Sequence, residues 1–128
     1  MTMKCEHLAN GSDDCPLIRL FDFTELEAKD LHRRVEQLHL GEIDSFTSED
    51  LGIESINRTC LVFCSAWRDR GIIGTEKSGV FRCELTKDSW DNVAGLLEPF
   101  AEGARGFQWL MGAGDTKLLI SSDRDGQW

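Results

Sequence analysis

The sequence predicts an α+β fold, a two-layer sandwich in which a mainly antiparallel sheet carries two helices on one face. Three observations lead there. Two stretches, 24–41 and 86–103, place apolar residues at helical spacing; five other runs are short and rich in β-branched and aromatic residues; and 128 residues suffice for one core. A composition of 41% hydrophobic and 29% charged residues, with only two prolines, is that of a folded chain rather than a disordered one.

Residues 1–15 mix Gly, Ser, Asn and Asp without periodicity and are expected to be a flexible arm outside a single domain over 16–128. The first strand is expected at Leu17–Phe23, where Leu17, Phe21 and Phe23 alternate with Ile18 and Leu20, so that both faces are partly apolar. The first helix follows directly. Thr24 and Glu27 have the spacing of a capping box, Ala28, Leu31, Val35 and Leu38 form one stripe, and Gly41 stops it.

The stretch from Glu42 to Arg58 has turn chemistry, scattered apolar residues and five acids, and reads as a long acidic connection with at most one helical turn. "RTCLVFCSAW" and "GVFRCEL" then read as two strands of an antiparallel hairpin joined through "RDRGIIGTEKS". Trp90, Val93, Ala94, Leu97 and Phe100 mark the second helix; Pro99 lacks an amide donor and its ring presses on the carbonyl of Gly95, which predicts a kink or an early end near Leu97. "GFQWLM" and "TKLLISS" are a final pair of strands around a glycine-rich turn. The resulting order, β-α-β-β-α-β-β, resembles the split βαβ, ferredoxin-like arrangement, a topology that hosts many functions and names none.

Charge narrows the partners. With 23 acidic and 14 basic residues the formal net charge is −9, a field that repels phosphate backbones and anionic lipid, so neither nucleic acid nor membrane is expected as a partner. No apolar run is long enough to cross a bilayer and the first residues lack a signal-peptide core, which points to the cytoplasm. Five irregularly spaced cysteines suit free thiols in a reducing compartment.

The chemistry-bearing motifs are weak. Cys60 and Cys64 share a strand face yet stand about 13 Å apart along an extended chain, too far to bind one metal together. Cys5, His7 and Cys15 lack the paired short spacing of a zinc site, and His32 and His39 lie two helical turns, about 10 Å, apart. "GAGDTK" leads into a strand rather than a helix, unlike a phosphate loop, and "DRDG" ends too soon for a calcium loop. No cofactor, metal or catalytic set is therefore expected.

What the pattern does suggest is a covered sheet face. Strands apolar on both sides, with helices on only one, need a cover on the other. A second copy of the chain packed sheet to sheet would supply it, making a homodimeric or partner-capturing interaction domain; Trp67, Arg68, Arg70, Glu49, Asp50 and Trp128 are the candidates for an interaction or ligand surface. The competing expectation is a small enzyme or ligand-binding protein with a pocket between the sheet and the 42–58 loop.

Overall fold

A computed structural model describes residues 2–112 and 114–128 and shows an α+β sandwich of two helices and two mixed sheets. In chain order the elements are β1 (Lys4–Leu8), β2 (Leu17–Phe21), α1 (Glu25–Leu40), β3 (Ser45–Thr47), β4 (Glu54–Ser55), β5 (Cys60–Ser65), β6 (Gly71–Gly74), β7 (Val80–Leu85), α2 (Lys87–Ala101), β8 (Phe107–Met111) and β9 (Lys117–Ser121). The first sheet, A, has the order β4-β1-β2-β9-β8; the second, B, has the order β3-β5-β7-β6.

Both helices start where their sequences dictate, and the first also stops there. The Thr24 hydroxyl accepts the Glu27 amide while the Glu27 carboxylate accepts the Thr24 amide, and Gly41 at φ 75° closes α1. Thr86 caps α2 through the Ser89 amide. The second helix runs through Pro99 to Ala101 rather than ending near Leu97. Pro99 sits in its last turn and Gly95 is exposed, so the carbonyl deprived of a donor faces water. The buried stripes of both helices enter a core shared with Ile18, Leu20, Leu118 and Ile120 of sheet A and with Leu61, Phe63, Cys83 and Leu85 of sheet B. At its centre Trp90 is fully buried and donates its indole N–H to the Cys64 carbonyl at 2.9 Å.

Four expectations are corrected. The arm over 1–15 supplies β1, because Met3 and Cys5 alternate with Lys4 and Glu6 and bury themselves in the core. β5 and β7 pair in parallel, from Cys60 beside Val80 to Ser65 beside Leu85; the presumed hairpin loop contains β6, which pairs antiparallel with β7. The 42–58 connection holds two short strands, a 3₁₀ turn at Glu49–Leu51 and a tight turn at Ile56–Arg58. The single antiparallel sheet is thus replaced by two mixed ones, since the added short strands β1 and β6 bring hairpins to opposite ends of the order. The turn expected over 112–115 includes residue 113, outside the described residues; β8 and β9 pair antiparallel on either side of it.

A repeat emerges that the sequence conceals. Hairpin, helix and hairpin (β1, β2, α1, β3, β5) are followed by hairpin, helix and hairpin (β6, β7, α2, β8, β9). Each sheet joins the first hairpin of one half to the last hairpin of the other around a central parallel pair, β2 with β9 in sheet A and β7 with β5 in sheet B. Thr24 and Thr86 cap the two helices and Gly41 and Gly103 follow them with positive φ, each pair 62 positions apart.

Candidate functional site

The outer faces of the two sheets differ, and that difference locates the candidate site. On sheet A the outward residues Leu17, Phe21 and Leu119 are buried because the chain after β9 folds back over them. Arg19 organises this cover. Its guanidinium grips Glu6 at 2.6 and 2.9 Å, stacks 4.4 Å over the Phe21 ring, and donates to the carbonyls of Asp125 and Gly126 at 3.0 and 3.1 Å. Gly126 has φ 74°, and a Cβ there would lie 2.6 Å from Arg19 Nη1, so the close approach requires glycine. Ser121 donates to the Gln127 carbonyl at 2.6 Å; Trp128 donates to Asp14 at 2.8 Å and meets Trp109 edge-to-face at 6.5 Å. The apolar outer face of sheet A therefore has a cover from its own chain.

The outer face of sheet B remains in contact with solvent. Ser45 and Arg82 are exposed there, and Thr47, Val62 and Ile73 are half-buried. Glu84 is buried between Arg70 at 3.1 Å and Arg82 at 3.0 Å. Burial pushes the Cys64 thiol up against the opposing pull of Arg82.

At the end of this face where β5 begins, a cavity of about 560 Å³ opens between the sheet and the 42–58 connection. Cys60 and Val80, paired side by side, line the sheet side of it; Glu49, Ser55 and Arg58 come from the connection, and Lys77 and Ser78 from the β6–β7 turn. The backbone beside it is unusual. Asn57 and Arg58 are consecutive left-handed residues at φ 53° and 61°, a conformation that costs non-glycine residues about 1–3 kcal/mol each and persists only where neighbours enforce it. Here the Thr59 amide bonds the Ile56 carbonyl at 3.0 Å, the Cys60 amide bonds the Gly79 carbonyl at 2.8 Å, and the Thr59 hydroxyl accepts the His7 amide at 3.2 Å. Gly79, at φ 83°, lets the Arg58 carbonyl come within 2.6 Å of where a Cβ would stand. The Lys77 carbonyl closes the facing turn by accepting the Val80 amide at 3.1 Å.

The thiol in this cavity is held by a hydroxyl. Ser48, fully buried, accepts the Leu61 amide at 3.1 Å and donates to Cys60 Sγ at 3.6 Å. Deeper in the protein, burial pushes the Cys5 thiol up to about 12 and raises that of Cys83 further. Cys60 and Cys64 lie on one strand as expected, and no cluster of three or more His, Cys, Asp or Glu with the geometry of a metal site occurs among the described residues.

The six surface residues expected from sequence are not brought together. Glu49 lines the cavity, and Asp50 closes a turn with Thr47 through reciprocal bonds of 2.9 and 3.1 Å. Trp67, Arg68 and Arg70 lie beyond the other end of β5, about 17 Å away along the strand, and Trp128 lies on sheet A. Trp67 is 84% exposed with the Arg68 guanidinium 4.9 Å over its ring. Sequence reasoning missed Arg58, Lys77 and the serines. Their signal was the turn chemistry of "INRT" and "TEKSG", in which Asn and Gly tolerate positive φ.

No helix among the described residues is long and apolar enough to cross a membrane. No known family, no characterised protein and no solved structure matches the chain.

Proposed function

We propose that the protein is a small-ligand-binding protein whose site is the cavity between sheet B and the 42–58 connection. One observation carries this reading: the cavity has the size of a small-molecule site and is flanked by two consecutive left-handed residues that the surrounding bonds hold in place. Binding rather than catalysis is supported by the partner of Cys60, a neutral hydroxyl instead of a base that would activate the thiol. The test is a thermal-shift screen of polar metabolites, with hits mapped by amide chemical shifts. Hits perturbing Ser55, Arg58, Cys60 and Lys77–Val80, and abolished by filling the cavity in Val80→Trp, support the reading; hits that map elsewhere, or none at all, overturn it.

A second reading follows from the open outer face of sheet B, where Val62 and Ile73 are only half-buried on either side of the exposed Arg82. In it two copies of the chain pack through this face. Light scattering would then report a dimer that Val62→Arg dissociates, whereas a monomer at high concentration rejects it.

A further inference from the structure

Resting on the ligand-binding reading, we propose that the ligand of this cavity is a small oxyanion, a molecule carrying a phosphate or carboxylate group held between Arg58 and Lys77. Cations in this chain are outnumbered by acids, and seven of the 14 find one: Lys4, Arg19, Lys29, Arg33, Arg70, Arg82 and Lys117 each have a carboxylate within 4 Å. Arg58 and Lys77 do not. Among the described residues neither side chain makes an ion pair or a hydrogen bond, although Glu49 lines the same cavity. Two unpaired cations on facing loops, one on the 42–58 connection and one on the β6–β7 turn, converge on a single space with the hydroxyls of Ser55 and Ser78 beside them. All four groups can donate hydrogen bonds, and the acceptor-rich complement they lack is an oxyanion.

The left-handed backbone strengthens the argument. Arg58 is fixed at φ 61° between the Ile56–Thr59 turn and Gly79, so its side chain leaves a rigid base rather than a swinging loop. A backbone already fixed adds no loop ordering to the cost of holding an anion. The net charge of −9 does not oppose this, because at physiological ionic strength charges beyond about 8 Å are screened and a small ligand responds to the local pair. An extended polyanion would meet the acidic surface as well.

The experiment titrates the full chain with sodium phosphate, pyrophosphate, citrate and, as a neutral control, glucose, following amide shifts and calorimetry. Saturable shifts at Ser55, Arg58 and Lys77–Val80 with at least one anion and none with glucose are expected; the phosphate probes against citrate tell phosphate from carboxylate chemistry. Arg58→Asn, which keeps a residue tolerant of positive φ, and Lys77→Gln should each weaken binding about tenfold, and Glu49→Gln should strengthen it a few-fold. Binding indifferent to all three substitutions overturns the proposal. If neutral or cationic molecules from the metabolite screen saturate the cavity and the anions do not, the oxyanion assignment fails and the binding site stands; if nothing saturates it, both fail.

Discussion

The segments that follow β5 and β9 use similar residues to opposite ends. After β5 the chain reads Arg68-Asp69-Arg70-Gly71, and after β9 it reads Arg124-Asp125-Gly126; the two glycines adopt φ 73° and 74°. The first segment crosses the end of β7, bonding the Leu85 and Glu84 carbonyls at 2.9 Å, and delivers Asp69 to the start of α2 before entering β6. The second turns back over sheet A, where Arg19 and Trp109 receive it. The two segments share a positive-φ glycine and not a turn: the second closes one, the Gly126 amide bonding the Asp123 carbonyl at 3.1 Å, and the two differ in where they lead. Each carries one tryptophan, and the two have unlike roles: Trp128 bonds Asp14 and packs on Trp109, while Trp67 stands in solvent.

Ending the chain at Ser122 is the most severe way to probe this contrast. It uncovers Leu17, Phe21 and Leu119 and strips Arg19 of two acceptors, which should cost on the order of 4 kcal/mol in urea unfolding. A loss under about 1 kcal/mol would mean that the segment is not a structural cover. Gly126→Ala tests the same closure at a single atom; the positive φ and the clash with Arg19 together predict a loss of about 2 kcal/mol.

On the opposite segment, Asp69 accepts the Thr86 amide at 2.8 Å and the Ser89 hydroxyl at 2.6 Å, and these bonds hold its carboxyl below the ordinary 3.8, the Ser89 bond most strongly. A carboxylate depressed by folding stabilises the protein above its unfolded pKa, and that contribution disappears as pH falls through the lower folded value. Asp69→Asn should therefore be modestly less stable than the parent at pH 7, with the gap closing below pH 3.8; a gap constant from pH 7 to 2.5 would deny the carboxylate its role. The mildest change is Trp67→Ala. Its expected effect on the unfolding midpoint is within about 0.5 kcal/mol, and a larger loss would show that this tryptophan is as structural as Trp128.

What could be read from the sequence was local. Thr24, Glu27 and Gly41 specify α1 within one stretch of chain, and the cysteines of β5 were legible as strand residues because Leu61, Val62 and Phe63 surround them. β1 and β6 were missed since five and four residues, the latter with glycine at both ends, acquire strand geometry only from partners elsewhere. The parallel pairing of β5 and β7 hid the cavity for the same reason. Arg58 and Lys77 share one mouth only because Cys60 stands beside Val80, and nothing in the spacing of the two cations says so. The expectation of a pocket beside the 42–58 stretch rests on the length of that connection, with its acids and Arg68 or Arg70 as the polar lining; of these residues Glu49 lines the cavity found there.

The exchange of hairpins between the two halves also sets an order of assembly during synthesis. All four strands of sheet B precede residue 86, so that sheet can close as soon as β7 has been made. Sheet A has to wait, because Leu17 takes Lys117 as its partner. For the time in between, β2 is the bare edge of an unfinished sheet, and its "LIRLF" is the stretch of the growing chain most open to pairing with the wrong strand.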